Sequence, residues 1–313
     1  MSLPPDHPVL AVVAPPRVAR FRELLGLLPD DEIGADFTGW SKLVLLTADR
    51  AVLFPRDHTQ VDALRREVLA LEVIAELGVD LVPSVHAVLE DPSPSALPVV
   101  VLDRMPGVRL DSLVETMTPT ALGDLFGDLG RQAARWHSID PARAPELPRR
   151  NALEGLTTLA DELELDAQET TVAKDALDRA RGLEPVLVHG DLHEGQLLVG
   201  ADPPHVLTGI LDWQTARVDH PFVEFDLGEW GTAIWRAHRS EFPELRRRAW
   251  GAYALERGLP DELGLVFEWH HACSHVRKLL GRTFPVVHDE GIVGTLSEAR
   301  AQVRTALHAL AAG

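Results

Sequence analysis

His189-Gly190-Asp191-Leu192-His193-Glu194-Gly195-Gln196 is followed further on by Ile210-Leu211-Asp212-Trp213. Asp191 falls on a turn, just after a glycine that follows the apolar run Pro185–Val188. Gln196 stands just before a second run, Leu197–Val199, and Asp212 closes a third, Val206–Leu211. Three oxygen-bearing side chains at strand ends can converge on one point, and hard cations take oxygen ligands. Strand-end carboxylates also serve as plain turn formers. On the residues alone both readings stay open.

Working outward, the flanking sequence changes period. Lys42–Thr47 and Ala51–Phe54 are apolar runs separated by Ala48-Asp49-Arg50, which predicts a hairpin. A weaker strand is expected near residues 33–39. Asp57 or Thr59 caps a predicted helix that runs to about Leu77 and stops at Gly78, with Val61, Leu64, Val68, Leu71 and Ile74 or Ala75 as its apolar stripe. Val82–Glu90 and Leu97–Asp103 read as two more strands around a Pro/Ser turn. Before all of these, a proline-rich start gives way to a short helix through Phe21, Leu24, Leu25 and Leu28. Beyond Pro106-Gly107 the pattern turns helical: Ala121–Ser138, one or two helices over Leu153–Arg181, and again from Asp226 onward.

Composition narrows the function classes. Thirty Lys and Arg stand against 48 Asp and Glu, a formal net charge of -18. Such a chain repels phosphate backbones, so nucleic-acid partners are not expected. Only Lys42, Lys174 and Lys278 are lysines. The single cysteine, Cys273, excludes an internal disulfide and an all-cysteine zinc site. No apolar run reaches the roughly 18 residues of a membrane span, and the first ten residues show no signal-peptide pattern. A cytoplasmic protein without a membrane partner is the expectation.

Asp-x-x-x-x-(Asn/Gln) with a later strand-end Asp is the spacing of the kinase catalytic loop and its metal-binding aspartate. HGDLHEGQ with ILDW resembles the aminoglycoside phosphotransferase and kinase-like family, whose usual pattern is H-G-D-x-x-x-x-N and then I-D-(W/F). VHGDL and DWQTARVD look particularly like the macrolide phosphotransferase branch. Ala216, Pro221 and Asp226-Leu227 resemble the family's trailing motif, with Asp219 where glycine is common. Two extra residues before Asp226 leave Glu224 as the other candidate for the family's aspartate slot. Weaker echoes run over about residues 35 to 280.

The resemblance implies an α+β, bilobal protein-kinase-like fold. A small antiparallel β-sheet N-lobe occupies residues 1–103, and a larger, mainly helical C-lobe with hinge, catalytic loop and acceptor pocket occupies 104–313. ATP or GTP and Mg2+ would sit in the cleft, and the γ-phosphate would pass to a hydroxyl of a small molecule, cationic or sugar-bearing. Asp191 would orient or deprotonate that hydroxyl. Asp212 and Gln196 would hold Mg2+, with Gln196 in a position usually held by Asn. His189 and Asp226 would support the loop. His193, Glu224 and Glu229 are candidates for substrate contact. The acidic stretch Asp161–Glu169 and the C-lobe tryptophans are further candidates for an acceptor pocket.

On the nucleotide side, Leu102–Gly107 resembles the hinge, with the Asp103 carbonyl and Met105 amide facing the purine. Asp36–Lys42 is the expected loop over the phosphates. The family's strand-3 Lys or Arg is missing, because its slot aligns with Leu53. Lys42, on the neighbouring strand, is read as its replacement and as the partner of Glu67; Arg56 is the other candidate. Leu53 and Gln196 also keep open a degenerate kinase with weak or no turnover. His271 and His275, one helical turn apart, invite a zinc reading, set against a role in packing. Trp136-His137 reads as a structural feature of a helix end.

Overall fold

The structure is a computed structural model that describes Glu23, Gly26 and residues 33–36, 41–89, 97–226, 233–280 and 296–312. The expected N-terminal helix, residues 37–40 of the phosphate loop, the turn at 90–96 and Glu229 lie outside the described residues. The chain forms two compact units. One takes Met1–Pro106 with Thr208–Thr215, the other Gly107–Leu207 with Ala216–Gly313.

In the first unit, β1 (Gly34–Asp36), β2 (Lys42–Leu46), β3 (Arg50–Pro55), β4 (Val85–Leu89) and β5 (Val99–Asp103) form one antiparallel sheet in the order β1-β2-β3-β5-β4. The β2–β3 turn closes because the Thr47 amide donates to the Arg50 carbonyl at 2.9 Å and the Thr47 hydroxyl accepts the Arg50 amide at 3.0 Å. Period-2 alternation sends Leu43, Leu45, Val52, Phe54 and Val101 into one buried cluster. Helix α1 (Val61–Ala75) follows a 3-10 turn that Asp57 caps through the Thr59 amide at 2.8 Å. The chain leaves the helix through Gly78 at φ +64°, a conformation that favours glycine. The buried stripe of α1 is Leu64, Glu67, Ala70, Leu71, Val73 and Ile74. Glu67 thus takes a core-facing position that the apolar pattern assigns to Val68.

The second unit holds α2 (Pro119–Trp136), α3 (Leu156–Leu163), α4 (Ala167–Arg181), α5 (Ala233–Ala237), α6 (Phe242–Glu256), α7 (Leu263–Leu279) and α8 (Leu296–Ala312). Two small antiparallel pairings position its loops: β6 (Val108–Arg109) with β8 (Leu197–Val199), and β7 (Val186–Val188) with β10 (Arg217–Asp219). Strand β9 (Leu207–Ile210) carries the chain back into the first unit. Thr118 and Pro119 start α2, the threonine accepting the Ala121 amide. Phe222, Phe225, Trp250, Tyr253 and Phe267 form an aromatic core, with Trp250 stacked on Phe267 at 5.0 Å. Trp136, Trp213, Trp250 and Trp269 are all buried, so they pack the interior and do not line an aromatic wall.

Candidate active site

Lys42 opens β2 directly opposite Pro55 of β3. Opposed residues share a sheet face, and so do residues two apart on one strand. Lys42, Leu53 and Pro55 therefore rise from the same face. The ammonium enters from the neighbouring strand on the side where Leu53 offers only methyl groups. Its Nζ bonds Glu67 Oε2 from α1 and reaches Asp212 Oδ1 at 2.8 Å. Lys42 and Glu67 are buried, at 8% and 2% exposure. Burial alone would lower the lysine pKa, but the two carboxylates outweigh it and hold it above the ordinary value. Asp212 stands two residues past β9 at φ +69°. Buried Trp213 fixes the turn by donating its indole N–H to the Ile210 carbonyl at 3.2 Å. Arg56 lies past Pro55, its amide donating to the Ser41 carbonyl. At the end of β5, the Asp103 carboxylate takes Arg50 of β3 at 2.9 Å and His86 of β4 at 3.0 Å, so its side chain ties together the neighbouring strands. Among the described residues no partner takes the Met105 amide.

In the second unit the segment 189–196 is held largely through its main chain. Glu224 Oε2 accepts the His189 amide at 2.8 Å, and the fully buried His189 ring accepts the Asp191 amide through Nδ1 at 3.3 Å. Gly190 turns at φ +84°, and its carbonyl accepts from Arg217 at 3.1 Å. His193 Nδ1 caps the following 3-10 turn through the Gly195 amide at 3.0 Å. A Cβ on Gly195 would stand 2.7 Å from the His193 ring, so a side chain here would push that ring from its capping position. Glu194 Oε1 accepts the Ala233 amide at the start of α5. These bonds leave Asp191 at the surface with a fixed backbone. Gln196 is buried, and its Oε1 has no hydrogen-bond partner among the described residues.

Several expected roles change. Glu224 is 1% exposed and lies against His189 and, at 3.4 Å, His137 Nε2; a side chain sealed in this way cannot meet an acceptor arriving from solvent. The Asp226 carboxylate faces α7 instead, with His271 at 3.3 Å and Lys278 at 3.9 Å. Burial pushes the Asp226 carboxyl up, but Lys278 and His271 outweigh it and hold it below the usual range. Glu224, not Asp226, is therefore the residue bonded to the backbone of the 189–196 segment. His271 and His275 turn to different partners, His271 to Arg246 and Asp226, His275 to Gln302 at 3.2 Å. Among the described residues no group of three or more His, Cys, Asp or Glu could hold a metal. In the acidic stretch, Asp166 and Glu169 form the capping box of α4. Arg217 and Asp219 are additions to the site. They pair at 2.9 Å, and Asp219 also accepts the Ala152 and His220 amides, which gives this departure from glycine a structural use. Their two-residue spacing on one strand is the signal that could have linked them.

The sequence matches the phosphotransferase enzyme family, APH, over residues 34–265. The chain belongs to this family. Among curated proteins none matches it. Solved structures supply the likeness in three dimensions. An APH(2") enzyme in complex with GDP and kanamycin is 15% identical, with a TM-score of 0.56 over 94% of this chain and 98% of that one. The GDP complex of wild-type aminoglycoside 2'-phosphotransferase-IIIa is 16% identical, with a TM-score of 0.57 over 93% and 98%. ADP-bound aminoglycoside phosphotransferase APH(2'')-Ib is 13% identical, with a TM-score of 0.58 over 94% and 97%. At these identities the likeness establishes the kinase-like fold. As an APH-family member the chain is a small-molecule kinase in type. Among the described residues no helix is long and apolar enough to cross a membrane.

Proposed function

We propose that this APH-family chain transfers the γ-phosphate of ATP or GTP to a hydroxyl of a cationic or sugar-bearing small molecule in the cytoplasm. The observation that carries this reading is the buried Lys42 ammonium held between Glu67 and Asp212. It supplies a cation on the sheet face where the family's strand-3 lysine is missing. Phosphoryl transfer passes through a loose transition state, so the protein contributes mainly position and charge.

Lys42 binds the α- and β-phosphates and Glu67 aligns it. The Asp103 carbonyl and the Met105 amide take the purine edge. Asp191 orients the acceptor hydroxyl and accepts its proton, while His189 and Glu224 fix the loop backbone beneath it. Asp212 and Gln196 offer a carboxylate and an amide oxygen, the hard donors that Mg2+ takes, and the buried, unpartnered Gln196 Oε1 fits such a ligand. Bound there, Mg2+ would offset charge on the nucleotide phosphates. The net charge of -18 and the solved relative with kanamycin support a cationic acceptor. A second reading, a nucleotide-binding protein with weak turnover, draws on Gln196, which carries its amide one methylene further out than asparagine.

An acceptor screen with aminoglycosides, macrolides and amino alcohols, with each nucleotide, tests the proposal. Wild type should phosphorylate at least one class, and Asp191→Ala should lose about 100-fold or more of the rate, the scale of general-base loss, while keeping its nucleotide affinity. Full activity in Asp191→Ala would sink the assigned base. Nucleotide binding by wild type with no transfer to any acceptor would favour the second reading.

A further inference from the structure

We infer that Ser41, Gln214 and Arg66 form a positioning clamp that holds the Asp212 turn in place for the metal–nucleotide complex. The inference rests on reading Lys42, Glu67 and Asp212 as the nucleotide site. Ser41 Oγ donates to Gln214 Oε1 at 2.5 Å, and Arg66 Nη1 donates to the Gln214 main-chain carbonyl at 2.8 Å. All three residues are half-buried. Ser41 precedes Lys42 in the chain, Arg66 precedes Glu67, and Gln214 follows Asp212 by two. The same three elements are therefore joined twice. Lys42, Glu67 and Asp212 join β2, α1 and the turn after β9 through charge; Ser41, Arg66 and Gln214 join them through directed hydrogen bonds.

The two links differ in what a ligand does to them. An ammonium is a compact charge with rotatable donors, so the Lys42 pair sets a distance more than an orientation. Lys42 must also turn part of its charge to incoming phosphate, and Asp212 must turn to a metal, so that pair is loosened on loading. The Ser41 and Arg66 bonds engage neither group and persist. They bear on a turn that needs holding, since Asp212 sits at φ +69°, an unfavourable region for a residue with a Cβ. Gln214, gripped at its side chain from β2 and at its carbonyl from α1, keeps that turn from relaxing when the ion pair loosens. Ser41, Gln214 and Arg66 are thus positioning residues acting through Asp212.

The test is calorimetric titration of non-hydrolysable ATP and GTP analogues, with and without Mg2+, into wild type, Ser41→Ala, Gln214→Ala, the double variant, Arg66→Leu and Arg66→Lys. With Mg2+, Arg66→Leu and Gln214→Ala should each bind about ten-fold more weakly, the scale of one hydrogen bond. Without metal they should stay within about two-fold of wild type. Arg66→Lys, which keeps a donor, should recover most of the loss. The double variant should be no weaker than Gln214→Ala, because both changes remove one shared bond. Ser41→Ala deletes a single hydroxyl and carries the same test should Arg66→Leu fail to fold. Variants that match wild type with Mg2+ would overturn the clamp alone. Equal losses with and without metal, or additive losses in the double variant, would also overturn it. A folded wild type that binds neither analogue would overturn the nucleotide reading and the clamp with it.

Discussion

Burial disfavours the charged form of every basic side chain it encloses, and neighbouring charge decides the outcome. Lys42 keeps its proton because two carboxylates face it. His137, His220 and His270 are buried without enough negative charge to offset the loss of water, so burial pushes all three below the ordinary histidine pKa. His270 is pushed down to about 3, and among the described residues neither ring nitrogen has a partner. Asp226 favours its protonated form, whereas His220, His271 and Arg277 oppose it. An unfolded chain protonates its histidines below about pH 6.5. The folded form refuses that proton, so stability is fully present above that value and falls as the pH drops towards 3. At pH 5 His270 alone accounts for on the order of 2 kcal/mol. His270→Leu should therefore flatten the fall in melting temperature between pH 7.5 and 5. A variant that melts with the unchanged pH slope would contradict this.

Individual site residues were readable to different depths. Lys42 stood out because residues 1–103 hold no other lysine, and Glu67 because it stands on the expected helix beside the apolar stripe. Glu224 and Asp226 could not be ranked from spacing, since two residues are inserted before Asp226. The 3-10 turn Pro221–Asp226 decides between them by winding Glu224 onto His189. Ser41, Arg66 and Gln214 gave no signal, because a polar residue reveals its partner only when the chain brings a distant one beside it.

Among elements, the backbones of α2 and α6 approach closely where the two helices pack. A Cβ on Gly130 would stand 2.0 Å from the Ala249 carbonyl oxygen, backbone that moves only if the helices part. Gly127, one turn earlier on α2, would meet only the end of Arg131 at 3.7 Å. Gly130→Ala should therefore cost about 1–3 kcal/mol through overpacking. Gly127→Ala should gain up to about 1 kcal/mol from helix propensity. Denaturant melts of the two variants check the pair, and equal shifts would contradict the packing described. Period and capping made the long helices and the β2–β3 hairpin readable in advance. Strands β6 and β10 were not, because Val108-Arg109 and Arg217-Val218-Asp219 form no apolar run and exist only through their partners.

Across the whole molecule, the two-part organisation follows from the change of period near Pro106-Gly107. The return of Thr208–Thr215 to the first unit does not, since contiguous sequence cannot show that a segment packs with a distant part. That return puts Asp212 in the same unit as Lys42 and Glu67, where the three side chains meet. The most direct test is calorimetric titration of ATP and GTP analogues with Mg2+ into wild type and Lys42→Met, which keeps the stem and removes the charge. Wild type should bind, and Lys42→Met should bind at least about ten-fold more weakly, the scale of one charged contact. Equal affinity in two folded proteins would contradict the assignment of Lys42 as the nucleotide's cation.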